Sequence, residues 1–251
     1  MEVLALFEEY LEAVIQQIET IRLTQKEKIR EAARRIADAI LRGHDLYVFG
    51  AGHAGIVAEE SFYRAGGLML ANPIFAPGLS LNVRPVTMTT EMERMPGYAA
   101  VILRSTRLGA GDVLIIHSTS GRNAVPVEMA IEARRRQATV IAITSLAYSS
   151  SVSSRLPSGL RLFEVADLVI DNAGIPGDAV VQLPNSETRF GPTSTVTGTV
   201  ILNCILTETV FFLLEQGEED PPVFVSANLD GADEINRRRI ERYRQHIYYL
   251  D

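Results

Sequence analysis

The residues of this sequence best suited to chemistry on a small anion are hydroxyl and glycine residues on short loops that follow apolar runs. The most informative loop precedes a helical segment that begins near Pro126, and it contains Ser118, Thr119, Ser120, Gly121 and Asn123. Hydroxyl groups and backbone N–H groups at the start of a helix can donate hydrogen bonds to phosphate oxygens. A serine-rich helix cap explains the same residues without a ligand, so this loop alone leaves both interpretations open.

A glycine-rich loop earlier in the chain has a similar position after an apolar run. It contains Gly50, Gly52 and Gly55, and glycine allows the sharp turn that brings backbone N–H groups to an anion. Dinucleotide-binding proteins use a related pattern, but the next apolar run includes Asn72 and has no acidic residue to hold a ribose hydroxyl. The chain also lacks a Gly-Lys-Ser or Gly-Lys-Thr sequence. His53 either donates to phosphate or carries protons, or it is an ordinary hydrogen-bonded histidine.

Two further hydroxyl-bearing segments occupy comparable positions. The first contains Thr144 and Ser145, which follow the next apolar run. The second opens a long apolar helix after Pro192 and contains Thr193, Ser194 and Thr195. If the runs are neighbouring parallel strands, their loops meet at one edge of the sheet, where ligands of such sheets bind. We therefore expect these residues to hold one anionic head group together.

The elements that must position these loops alternate between short apolar runs and helical patterns. The runs are Leu46 to Phe49, Leu68 to Phe75, Val113 to Ile116, Val140 to Ile143 and Leu168 to Ile170. Both faces of the runs are apolar, as in parallel strands covered by helices on two sides. The pattern predicts an α/β fold with a doubly wound, five-stranded parallel sheet.

Two helices are predicted before the sheet, with Thr24 as the N-cap of the second, Glu27 completing its capping box and Gly43 ending it. We interpret residues 1–251 as a single domain, with helices over 1–42, a core over 43–217 and a C-terminal tail and helix over 218–251. Residues 172–192 are rich in Gly and Pro and are predicted to form a long connection or flap.

Composition favours a cytoplasmic protein that binds neither nucleic acid nor membrane. The formal net charge is −7, which disfavours a nucleic-acid surface, and the single Cys204 cannot form an internal disulfide. We find no export signal and no uninterrupted apolar run of about 18 to 20 residues. The histidines lack ligand spacing, so we predict no metal and no cofactor. A polar stripe on the long apolar helix, formed by Thr199, Asn203 and Thr207, predicts a subunit contact in a homodimer or homotetramer.

The Ser-Thr-Ser-Gly loop after the middle strand, together with the earlier Gly-x-Gly loop, resembles the sugar isomerase (SIS) domain family over roughly residues 43–217. The nearest likeness is to SIS proteins that carry the name phosphoheptose isomerase without a characterised activity. The resemblance implies a flavodoxin-like fold and a sugar phosphate as ligand. It also implies that Ser118, Thr119, Ser120 and Asn123 hold the phosphate, with Thr144 and Ser145 nearby.

Three features of the resemblance bear on the site. Residues 192–195 are similar to a segment of arabinose 5-phosphate isomerases. Ala54 stands where many relatives have serine, so His53 is a possible replacement for that contact. Phosphoheptose isomerases also have an acid about where Arg64 lies and a histidine around Val200, so their catalytic residues cannot be transferred to this chain.

Interconversion of an aldose and a ketose requires a base beside the carbonyl carbon, and a carboxylate in a dry site can act as that base. Glu60 lies seven residues beyond His53, which on one helix would return it to nearly the same face. A surface pair between Glu60 and Arg64 is the alternative. Glu91 and Glu93 follow a loop that could cover the site. The leading prediction is a sugar phosphate isomerase; an amino-sugar phosphate lyase or etherase and a non-catalytic sugar-phosphate sensor remain alternatives.

Overall fold

A computed structural model describes residues 5–250 and contains the predicted five-stranded parallel sheet. Its strands are β1 (Leu46–Gly50), β2 (Ala71–Pro73), β3 (Val113–His117), β4 (Thr139–Thr144) and β5 (Leu168–Asp171). Their order is β2-β1-β3-β4-β5, and every neighbouring pair is parallel. The strand order reverses between β1 and β3, which is the point where ligands bind in doubly wound sheets.

Helices cover both faces of the sheet, which confirms the predicted fold class. In chain order they are α1 (Leu6–Thr24), α2 (Lys26–Leu41), α3 (Ile56–Glu60), α4 (Met88–Glu93), α5 (Tyr98–Arg104), α6 (Ala124–Arg135), α7 (Leu146–Ser151), α8 (Leu162–Val165), α9 (Ser194–Glu215) and α10 (Ala232–Tyr243). Because strand side chains alternate between faces, Ile115 and Ile141 pack with α2 and α9, whereas Ile116 and Val140 pack with α5 and α6. Two apolar cores result, one on each face.

The N-terminal hairpin differs from the prediction in its cap. Thr24 is the last residue of α1, and its hydroxyl donates to the carbonyl of Thr20. Gln25 occupies the N-cap position of α2 without a side-chain capping bond, so the predicted cap at Thr24 is wrong. A threonine hydroxyl near a helix end can bond back to the carbonyl of the preceding turn, and this bond occupies the Thr24 side chain that was expected to cap α2. Gly43, with φ +80°, follows α2 as predicted.

Helix α9 is long and apolar enough to cross a membrane by length and composition. Half of its most apolar window is buried, and it packs along α2. Leu202 and Ile205 lie in the core beneath the sheet. A helix that is apolar nearly all round is typical of such a central position.

Two peripheral segments close the fold. The predicted flap contains a short antiparallel hairpin, β6 (Val181–Gln182) and β7 (Arg189–Phe190). The C-terminal tail lies along edge strand β2, where the buried Asn72 side chain donates to the carbonyl of His246 and accepts from the backbone N–H of Tyr248. Asn72 therefore continues the hydrogen bonding of the sheet edge into the tail.

Candidate functional site

The loop after β1 is a tight turn that only glycine permits at its first position. A Cβ atom at Gly50 would lie 2.2 Å from the carbonyl oxygen of Ala54. Gly52 has φ +58°, and its N–H donates to the carbonyl of Leu79 at 2.8 Å. Residues Gly52–Gly55 form a 3-10 turn with His53 exposed on it. The first glycine-rich loop is thus folded back against the end of its own strand.

The loops after β3 and β4 are joined by hydrogen bonds. The carbonyl oxygen of Thr119 accepts from the Ser145 N–H at 3.0 Å and from the Thr144 hydroxyl at 3.2 Å. A Cβ atom at Gly121, which has φ +56°, would lie 3.1 Å from the Thr144 hydroxyl. The Ser145 hydroxyl donates to the carbonyl of Gly174 at 2.6 Å, which adds the segment after β5. The hydroxyl-bearing loops therefore meet at the carboxyl edge of the sheet.

The three hydroxyls of the loop after β3 remain available to a ligand. Ser118 is buried and Thr119 and Ser120 are half-buried, yet their side chains form no hydrogen bond with any residue between 5 and 250. Ser145 differs, because its hydroxyl also accepts from the N–H of Tyr148 and caps α7. The capping alternative thus describes Ser145, whereas Ser118, Thr119 and Ser120 have no such structural use.

The hydroxyl segment that opens α9 is already bonded to an internal carboxylate. Asp178 accepts from the N–H of Ser194 at 2.9 Å and from the N–H of Thr193 at 3.2 Å, and it also binds the Ser194 hydroxyl. An acidic side chain at this position satisfies free N–H groups and favours the positive end of the helix. Thr195 is half-buried in the first turn of α9. Thr193 and Ser194 therefore hold Asp178 in this arrangement.

His117 connects the loop after β1 with α9 from the end of β3. Its Nδ1 lies 3.2 Å from the carbonyl oxygen of Ala54, and a Cβ atom at Gly198 would lie 2.7 Å from its Nε2. Within the described chain, Nε2 has no hydrogen-bond partner. Burial lowers the pKa of His117 to about 4, against the opposing effects of the Ala54 bond and the Asp178 charge. The ring is therefore neutral near pH 7, with the Nδ1 proton facing Ala54.

Glu60 and His53 do not share one α-helix, which corrects the geometry expected from their spacing. Helix α3 begins at Ile56 and ends at Glu60, and His53 lies in the preceding 3-10 turn. Glu60 forms an ion pair with Arg64 and lies 3.4 Å from the amide nitrogen of Asn203. Asn203 is nine residues beyond the start of α9, a rise of about 13 Å along that helix. Glu60 thus lies well along α9 from the hydroxyl segment that opens this helix.

Glu93 lies at the site instead. It is the last residue of α4, which contacts both the 3-10 turn after β1 and helix α6. Burial raises the pKa of the Glu93 carboxyl, and the Asn123 side chain, Arg155 and Arg94 act in the opposite direction. Glu91, two residues earlier, is exposed. Of the carboxylates singled out in the sequence, Glu93 is the one placed beside the loop after β3.

Arg155 is a site residue that the sequence did not indicate. Its N–H donates to the carbonyl of Arg122 at 2.8 Å, and its guanidinium donates to the Asn123 side chain at 2.6 Å. The residue lies 32 positions beyond Asn123 in an irregular segment with no motif. The contact between Arg155 and Asn123 becomes visible only in the folded chain, where this segment returns to the start of α6. Among residues 5–250, no group of three or more His, Cys, Asp and Glu side chains could hold a metal ion.

The loop after β3 carries the Ser-Thr-Ser-Gly motif on which the resemblance to the SIS domain family rests. Comparison with known proteins supports this resemblance. The SIS domain family model matches residues 9–145. A UPF0309 protein of Shouchella clausii is 48% identical over 97% of this chain and 98% of its own length. A second UPF0309 protein, from Oceanobacillus iheyensis, is 46% identical over 96% of this chain and 98% of its own length.

Solved structures share the fold at low sequence identity. A phosphoheptose isomerase from Francisella tularensis superposes with a TM-score of 0.53 and 18% identity, over 81% of this chain and 95% of the other. A phosphoheptose isomerase from Neisseria gonorrhoeae gives a TM-score of 0.51 and 17% identity, over 79% and 94% respectively. The family model, the close relatives and the strand order agree, and the chain belongs to the SIS domain family.

Proposed function

We propose that this protein binds a phosphorylated sugar on the loops after β1, β3 and β4 and catalyses an aldose–ketose isomerisation in the cytoplasm. The main support is that the hydroxyls of Ser118, Thr119 and Ser120 have no hydrogen-bond partner within residues 5–250, although their loop is bonded to the loop after β4 through the Thr119 carbonyl. They precede α6, whose first turn carries no acidic residue. Free hydroxyl donors at a helix start suit a phosphate group. The isomerase names of the structures with this fold support the choice of substrate class.

The reaction requires a base that moves one proton between neighbouring carbons. The base takes a proton from the carbon beside the carbonyl, an enediol or enediolate forms, and the proton returns to the former carbonyl carbon. We assign this role to Glu93. Burial raises the pKa of its carboxyl, which strengthens the carboxylate as a base, and Asn123 places it beside the phosphate loop. Backbone N–H groups of the loop after β1 and His53 are the proposed donors to the developing oxyanion.

Glu60 remains the competing base. Its ion pair with Arg64 and its contact with Asn203 give its carboxylate a structural use. A neighbouring pair of carboxylates supplies a matched comparison on α4, because Glu91 is exposed and Glu93 faces Asn123. The three variants Glu93→Gln, Glu91→Gln and Glu60→Gln therefore separate the possibilities.

The test is solvent deuterium exchange at the carbon beside the carbonyl, measured by NMR with a panel of sugar phosphates. We expect exchange in the unmodified protein and a loss of about 10²- to 10⁴-fold in Glu93→Gln with retained binding. Glu91→Gln should exchange at nearly the normal rate. Loss of exchange in Glu60→Gln with normal exchange in Glu93→Gln would move the base to Glu60. Release of lactate from an amino-sugar phosphate would indicate the etherase alternative, and binding without exchange would indicate the sensor.

We further propose that the protein is a homo-oligomer that buries the outer face of α1 and α9. Phe7, Leu11 and Ile15 recur at helical spacing on α1 and are between 50% and 65% exposed. Farther along α1, a groove between the helical hairpin and α9 is lined by Ile18, Val200 and Cys204. An exposed apolar ridge on α1 and an adjacent groove are suited to contact with a second copy of the chain. Light scattering should give a dimer or tetramer, and Ile15→Asp should give a monomer.

A further inference from the structure

Three arginines surround the start of α6, and we call them the arginine cluster: Arg94, Arg122 and Arg155. Arg94 directly follows α4, Arg122 lies in the loop after β3, and Arg155 comes from the segment after α7. The Arg155 N–H donates to the Arg122 carbonyl, and the Arg122 guanidinium lies 3.3 Å from the Ser153 hydroxyl. Arg94 lies near enough for its charge to act on Arg155. Separate parts of the chain therefore bring Arg122 and Arg155 into contact, with Arg94 beside them.

The charge of this cluster is poorly compensated. None of its guanidinium groups forms an ion pair within 4 Å with a carboxylate in the described part of the chain. The Nε atom of Arg122 is buried without a hydrogen-bond partner there. Burial lowers the pKa of Arg155, and the charges of Arg94 and Arg122 lower it further, with Glu93 opposing them. Arg94 and Arg155 are exposed, so the cost of burial falls on the Arg122 Nε atom. A buried donor without a partner and mutually repelling cations favour an accompanying anion.

Asn123 joins the arginine cluster to the phosphate loop. Its side-chain oxygen accepts from Arg155 at 2.6 Å, while its neighbours Ser118 to Ser120 supply the free hydroxyls. A single small ligand can therefore reach both groups. Guanidinium groups bind carboxylate and phosphate through paired hydrogen bonds, which gives them selectivity for acidic groups over hydroxyls.

We propose that the arginine cluster binds a second acidic group of the substrate, so that the preferred ligand is a phosphorylated sugar bearing a carboxylate or a second phosphate. This inference rests on the proposed function, because the first phosphate is assigned to the loop after β3. It narrows the substrate class from sugar monophosphates to sugar phosphates with two separate anionic groups.

Two probes of equal carbon number test the inference by calorimetry: glucose 6-phosphate and 6-phosphogluconate, which carries a carboxylate at the other end. We expect 6-phosphogluconate to bind at least about tenfold more tightly. Arg94→Gln and Arg122→Gln should remove most of that preference, because they should weaken 6-phosphogluconate binding more than glucose 6-phosphate binding. Arg104→Gln is the matched control, because Arg104 is exposed on α5 and its loss changes the net charge equally.

The outcomes separate this inference from the proposed function. Equal affinity for the two probes, unchanged by Arg94→Gln and Arg122→Gln, overturns the arginine subsite and leaves phosphosugar binding intact. Inorganic pyrophosphate probes the cluster without a sugar. If pyrophosphate binds and both arginine variants weaken it while neither sugar probe binds, the cluster stands as an anion site and the proposed function fails. Absence of binding by all three probes overturns both.

Discussion

The buried His117 makes a quantitative prediction about stability and pH. Its pKa falls from 6.5 to about 4 in the folded chain because burial disfavours the imidazolium. The unfolded chain therefore binds a proton as the pH drops below 6.5, whereas the native protein does not until about pH 4. Stability attributable to this residue is lost across that window. From about pH 7.5 to about pH 4.5, the loss is about 2 to 3 kcal/mol.

The measurement is the free energy of unfolding by urea at both pH values for the unmodified protein, His117→Gln and His53→Gln. Glutamine removes the titration and keeps a polar side chain near Ala54. Carboxylates contribute equally in all three proteins, so His117→Gln should lose about 2 to 3 kcal/mol less on acidification. His53 is exposed, and its variant should follow the unmodified protein. An identical acid loss in His117→Gln would refute the assignment of a buried neutral imidazole.

Two further predictions concern packing. Alanine normally stabilises a helix interior by about 1 kcal/mol relative to glycine. Gly198→Ala should nevertheless destabilise the protein, because the new Cβ would lie 2.7 Å from the His117 ring. Thermal unfolding should show a lower midpoint, and combination with His117→Ala should restore it. Asn72→Ala should loosen the C-terminal tail at a cost of about 2 kcal/mol through lost hydrogen bonds. Chymotrypsin should cleave the tail faster in this variant, and Asn82→Ala at an exposed position is the control. An unchanged cleavage rate would contradict the role of Asn72 in holding the tail.

The sequence predicts the sheet because local rules determine it. Apolar runs flanked by helical patterns and glycine turns require no knowledge of distant contacts, and strands β1 and β3 to β5 agree with the runs to within one or two residues. The loop after β3 could be identified for the same reason. The sequence could not show that the hydroxyls of this loop are free. Only the tertiary structure shows that Ser145 caps α7 whereas Ser118, Thr119 and Ser120 cap no helix.

Contacts between distant segments explain what the sequence did not reveal. Helix α3 begins at Ile56 and His53 lies in the 3-10 turn before it, so the spacing argument, which assumed one α-helix through His53 and Glu60, does not apply. Asp178 occupies the start of α9 from a flap that carries no recognisable motif. Arg155 reaches Asn123 from an irregular segment. Each of these contacts depends on how a loop folds back, which periodicity does not encode.

We propose that the loops after β1, β3 and β4 bind one phosphate group together. Titration of isotopically labelled protein with 6-phosphogluconate, followed through backbone amide signals, tests this directly. The signals of Gly52, Ser120, Gly121 and Ser145 should shift together and fit a single dissociation constant. Shifts confined to one loop, or different constants for different loops, would contradict it.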